Sequence, residues 1–99
     1  MDAIIRKAIQ HKQKILIMYK GLPRILEPHI YGLAKNGTTF IRGYQVGGES
    51  CSTDLGWRIL DVTKLQAITP IENQYFAKAR KDFATNDPII TTVYAAIRT

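Results

Sequence analysis

The chain opens with apolar residues at helical spacing. Ile4, Ile5, Ala8 and Ile9 fall on one side of a 3.6-residue turn, with Arg6, Lys7 and Gln10 on the other. Asp2 stands ahead of them as a helix cap, and the helix is expected to end near His11 or Lys12. KILIMYK then switches to β-branched and aromatic residues bounded by Gly21 and Pro23, the signature of a strand and a turn. RILEPHIYGLAK predicts a second strand, in which Pro28 demands an edge, a bulge or a sharp bend. Asn36-Gly37 predicts a type I′ hairpin into a third strand, TTFIRGYQV. GWRILDV and QAITPI read as strands four and five, joined at Thr63-Lys64-Leu65 by a short connector of one 3₁₀ turn. NQYFAKARKDF reads either as irregular chain or as a short helix, because Phe76, Ala79 and Phe83 have helical spacing. Farther on, Asp87 caps and Pro88 takes a first helical position, and Ile89, Ile90, Val93, Tyr94 and Ile97 form an apolar stripe, so a C-terminal helix is expected over 88–97.

Short strands joined by hairpins bury their inner residues most readily by curling. The expected fold is mainly β with flanking helices: a small five-stranded Sm/SH3-like barrel over about residues 13–71, an N-terminal helix and a C-terminal helix, in a single domain over 1–99. The C-terminal stripe must cover a surface, either this barrel or a second copy of the chain.

Composition narrows the function classes. At 45% hydrophobic and 22% charged, the chain is an ordinary globular domain, with no apolar run near the roughly 20 residues that span a bilayer. Cys51 is the single cysteine, which leaves no internal disulfide and no thiolate set for zinc, and a reducing, cytoplasmic compartment is expected. The net charge of +6 favours an anionic partner or simply a solvated face. It is uneven: residues 1–35 hold seven bases and two acids, 36–61 two and three, and the rest five and three.

The succession AIQHKQKILIMYKGLPRILEPHIYG, TTFIRGYQV and GWRILDVTKLQAI, over roughly residues 3–76, resembles the WYL domain, and specifically its short stand-alone bacterial and phage-borne relatives. The resemblance implies an Sm-like barrel acting as a ligand-sensing module in transcription regulation or phage defence, with single-stranded nucleic acid as the ligand known for some members. It also implies that Tyr19 ends the first strand, that Arg24 opens the second, that Glu27, Pro28 and His29 make a proline-centred bend, and that Arg58 helps form a basic groove. Thr39, Phe40 and Ile41 stand where the family carries the Trp-Tyr-Leu run that names it. No DNA-binding domain is attached, so the readout is expected to come from a partner, a regulator protein or a homodimer.

Alternation puts Arg42 and Tyr44 on one strand face with Phe40 and Val46, and Ile41, Gly43 and Gln45 on the other. An arginine among rings suits phosphate and a stacked base, or else is an arginine lying over barrel aromatics. His29 is either a ligand contact or a satisfied structural histidine, and Trp57 a core or rim residue. GGESCSTD offers backbone N–H groups and hydroxyls for an anion, or is a mobile loop; it lacks the phosphate-loop lysine. Cys51 has no base that can be placed beside it, and neither paired carboxylates nor metal-spaced histidines are present, so no catalytic residue, metal or cofactor is expected. The expected function is non-catalytic binding of single-stranded nucleic acid or a nucleotide by Tyr19, Arg24, His29, Arg42, Tyr44, Gln45 and Arg58. The alternative is a protein-interaction or dimerisation module.

Overall fold

The computed structural model describes residues 1–48, 56–84 and 86–98. Helix α1 (Asp2–His11) buries Ile5, Ala8 and Ile9, and Lys12 ends it in the left-handed region at φ 51, its N–H returning to the last turn. Asp2 does not cap. It is the first helical residue, and its carboxylate accepts the Tyr31 hydroxyl at 2.6 Å and Arg6 Nε at 2.9 Å. That contact ties the helix to the sheet beneath it.

The strands are β1 (Gln13–Tyr19), β2 (Leu22–Ala34), β3 (Thr39–Gly48), β4 (Gly56–Asp61), β5 (Leu65–Tyr75) and β6 (Ile90–Ala96). All ladders are antiparallel, in the order β4-β3-β2-β1-β5, with β6 on β2. The two-residue turn with both φ angles positive falls at Lys20-Gly21 (φ 53 and 73) rather than at Asn36-Gly37. At the latter, Gly37 N–H returns to Ala34 and only Gly37 is left-handed, at φ 85. Asn36 Oδ1 holds the Thr38 N–H at 2.9 Å, an interaction that favours this longer turn.

The β2–β3 register shifts between Pro28 and Ile30, where the proline demanded a bulge. Before the bend β2 pairs with β1, and after it with β6. β4 and β5 end opposite sides of the strand order, yet only the 3₁₀ turn Val62–Lys64 joins them. Four inter-strand spacings of a flat sheet would separate them by about 19 Å, more than the roughly 14 Å that four Cα steps can reach. The sheet is therefore rolled, and among the described residues no ladder joins β4 to β5 to close it. One core of Ile15, Ile17, Tyr19, Leu26, Ile41 and Leu60 lies under α1.

The expected C-terminal helix is instead strand β6. The local capping chemistry does form: Asp87 Oδ1 accepts the N–H groups of Ile89 (2.8 Å) and Ile90 (3.0 Å). The next stretch, however, is Ile-Ile-Thr-Thr-Val-Tyr, six residues whose χ1 freedom a helix restricts and a pleated sheet accommodates. The open edge of β2 beyond Pro28 supplies the partner. Gly32 lets the two backbones meet closely, since a Cβ there would stand 2.1 Å from the Thr92 carbonyl oxygen. The described residues between Phe76 and Pro88 are irregular and lie across the outer side of β2, β3 and β4 as a strap. No helix among the described residues is long and apolar enough to cross a membrane.

Candidate nucleic-acid interface

Register decides where the seven expected ligand residues point, because cross-strand partners share a face. Leu26 opposes Gln45, Gly43 opposes Arg58, and Ile17 opposes Arg24, so Gln45, Arg58 and Arg24 share the inner, core side with Tyr19. Tyr44 opposes both Glu27 and Trp57, which places Arg42, Tyr44 and His29 on the outer side. Arg24, Arg42 and Arg58 thus do not converge on one hollow. The expected groove is divided by the sheet itself.

The inner four are committed to the fold. Arg24 is 4% exposed, lies over the Tyr19 ring at 5.3 Å and donates from Nη2 to the Tyr19 carbonyl at 3.4 Å. Tyr19 is buried, and its hydroxyl accepts the Asp61 N–H at 3.3 Å. Gln45 is fully buried and donates to the Gly47 carbonyl, while Arg58 Nη1 donates to the Trp57 carbonyl at 2.9 Å.

On the outer side His29 is fully buried among the rings of Trp57, Phe76 and Phe83. Its Nδ1–H donates to the Glu27 carbonyl (2.7 Å) and its Nε2 accepts the Arg80 N–H (3.0 Å), an assignment made from the bonding network. Burial pushes its pKa down despite the Glu27 carbonyl, and the neutral ring leaves no nitrogen for a ligand. The satisfied structural histidine is the form found.

Two ion pairs rivet the strap over this face. Arg80 grips the buried Glu27 carboxylate with both arms of its guanidinium (2.7 and 3.0 Å) and lies over the Tyr44 ring at 4.5 Å. Arg42 pairs through Nε and Nη2 with Asp87, whose side chain is 1% exposed. Burial pushes the Asp87 carboxyl upward, but Arg42 and the two N–H bonds outweigh it and hold the group below the ordinary carboxylate range. Arg42 is thus already neutralised, and Asp82 lies in the same hollow, so phosphate is disfavoured there.

The open positive charge lies elsewhere. Three hollows adjoin along the side where the start of β1, the strap and the C-terminus meet. The first contains Lys14, Lys78, Arg80 and Lys81, the second Lys12, Lys78 and Arg98, and the third Arg6, Lys12 and Arg98. Shared Lys78, then Lys12 and Arg98, make them one track. Among the described residues its single lining acid, Glu27, is bound by Arg80. Tyr75, 55% exposed, lies at the Lys14 end as a stacking surface. Sequence reasoning missed these side chains as a set, although the charge count located the excess: every cation of the track comes from residues 1–35 or from beyond 61.

The GGESCSTD nest, with Ser50, Cys51, Ser52 and Thr53, lies outside the described residues. Among the described residues no group of three or more His, Cys, Asp or Glu side chains is placed to hold a metal ion. No protein family, curated protein or solved structure matches the chain.

Proposed function

We propose that this protein is a non-catalytic module that binds single-stranded nucleic acid along the Lys14–Lys78–Lys12–Arg98 track. The carrying observation is the continuity of three cation-lined hollows with an exposed tyrosine at one end. Flexible ammonium groups in a shallow track suit a backbone of evenly spaced phosphates, and an exposed ring accepts any base. The rolled, mainly β architecture supports an Sm/SH3-like, WYL-type reading, and a regulatory or defence setting belongs to the same proposal.

A fluorescently labelled short pyrimidine strand tests it. Lys78→Glu with Arg98→Glu, both exposed side chains, is expected to weaken binding at low salt by roughly ten-fold or more, while Arg58→Gln leaves it unchanged. Equal affinity of the double variant and the parent would refute the track.

A second reading, docking of a second copy or a regulator protein, is favoured by β6. Its Val93 and Tyr94 are 47% and 37% exposed, and among the described residues the strand is paired only to β2. A monomer by light scattering at high concentration would exclude the homodimer.

A further inference from the structure

The hollow between the strap and the β3–β4 face has a chemistry unlike the track's. It encloses about 300 Å³ and is lined by Arg42, Trp57, Asp82, Phe83, Asp87 and Pro88 among others. That volume is at the small end for ligand sites, room for one ring system rather than a dinucleotide. The Trp57 and Phe83 rings are within 23° of parallel at 6.2 Å between centroids, so they present flat apolar surfaces of similar orientation. The polar groups are asymmetric. Asp87 is fully occupied by Arg42 and by the Ile89 and Ile90 N–H groups. Asp82 is exposed and has no hydrogen-bond partner among the described residues, and Arg42 keeps Nη1 unengaged after pairing through Nε and Nη2. The hollow thus offers one free carboxylate acceptor, one free guanidinium donor and aromatic walls.

We infer that this hollow is a base-reading pocket that takes guanine. Guanine carries two adjacent donors, N1–H and the 2-amino group, which match the two oxygens of a carboxylate. It also carries two acceptors, O6 and N7, to which the free Nη1 of Arg42 can donate. Uracil and thymine offer a single donor flanked by carbonyl oxygens, which a carboxylate repels. Adenine and cytosine offer an amino group next to a ring acceptor, so only one carboxylate oxygen is satisfied. Asp87 already neutralises Arg42 and Asp82 adds a further acid to the lining, which disfavours phosphate, so the base enters and the sugar-phosphate stays outside. Lys81, adjacent to Asp82 in the chain, lines the first hollow of the cationic track. This assignment deepens the nucleic-acid reading and rests on it for the source of the base.

Guanosine, which has no phosphate, tests the pocket independently of the track. Trp57 is the only tryptophan in the chain and lines the hollow, so its emission reports occupancy. Guanosine is expected to quench it saturably. Inosine, which lacks the 2-amino group, and adenosine, cytidine and uridine are expected to bind roughly ten-fold more weakly or worse. Asp82 sits at φ 72, a conformation that asparagine also tolerates, so Asp82→Asn keeps the fold while replacing one of the two acceptor oxygens with a donor that opposes guanine's N1–H or amino group, and should abolish the preference for guanosine over inosine. Phe83→Leu should weaken all the nucleosides together. Absence of saturable quenching, equal binding of guanosine and inosine, or a preference that survives Asp82→Asn would overturn the assignment. Lys78→Glu with Arg98→Glu should leave guanosine binding intact, so failure of the track and failure of the pocket are separately visible.

Discussion

Lowering the pH from neutral should destabilise this protein through one residue, His29. Its imidazole is fully buried, touches three aromatic rings and uses both nitrogens in the neutral form. Burial holds its pKa below the ordinary 6.5, so in that range the unfolded chain takes up a proton that the native state refuses. The sign comes from linkage: the stability is fully present above the unfolded value and is lost as the pH falls toward the folded one. While the native ring stays neutral, the loss approaches about 1.4 kcal/mol per pH unit below about 6.5. For a domain of this size each such unit lowers Tm by roughly 6–11 °C. The assay is thermal unfolding followed by Trp57 emission and circular dichroism at several pH values, for the parent, His29→Gln and, as control, the exposed His11→Gln. His29→Gln should be less stable at neutral pH but should lose this part of the acid slope, and the control should keep it. Parallel slopes for the parent and His29→Gln would show that another group carries the acid sensitivity.

Two further substitutions probe how the strap and β6 are held. Asp87→Ala removes a buried carboxylate from Arg42 and from two backbone N–H groups, and should cost about 3 kcal/mol in chemical denaturation. Because the Asp87 pKa is depressed, its contribution should be complete above the ordinary carboxylate value of 3.8 and disappear as pH falls through the folded one. Gly32→Val drives a side chain into the Thr92 carbonyl and should release β6, read as faster amide exchange across Ile90–Ala96 with α1 still protected.

The first helix and five strands were legible because each is set by its own hydrophobic period and by Gly or Pro at its ends. Pro28 announced its bulge for the same local reason. The C-terminal element was not legible in this way, since Asp87-Pro88 carries a helix start while the six residues from Ile89 carry strand propensity. The free edge of β2, a tertiary feature, decides between them. The expected groove was divided by parity. Arg42 and Arg58 are similar residues on neighbouring strands, but pairing Gly43 with Arg58 sends them to opposite faces, and no composition reveals that register. Tyr44 and Trp57, directly paired, do share a face. The uneven charge of the chain was the better guide, because solvated lysines need no register to be exposed.

Strand binding along the cationic track stands or falls with its salt dependence. Five cations of the track, Lys12, Lys14, Lys78, Lys81 and Arg98, are in no ion pair among the described residues, whereas Arg80 is held by Glu27 and Arg6 by Asp2. Releasing counterions from five phosphates gives a slope of log affinity against log salt of about −3.5, or roughly a hundred-fold loss between about 50 and 200 mM. Lys78→Gln with Arg98→Gln should reduce the slope to about −2 and the loss to roughly twenty-fold. A slope near zero, or one unaltered by those two substitutions, would mean that the track does not hold the strand.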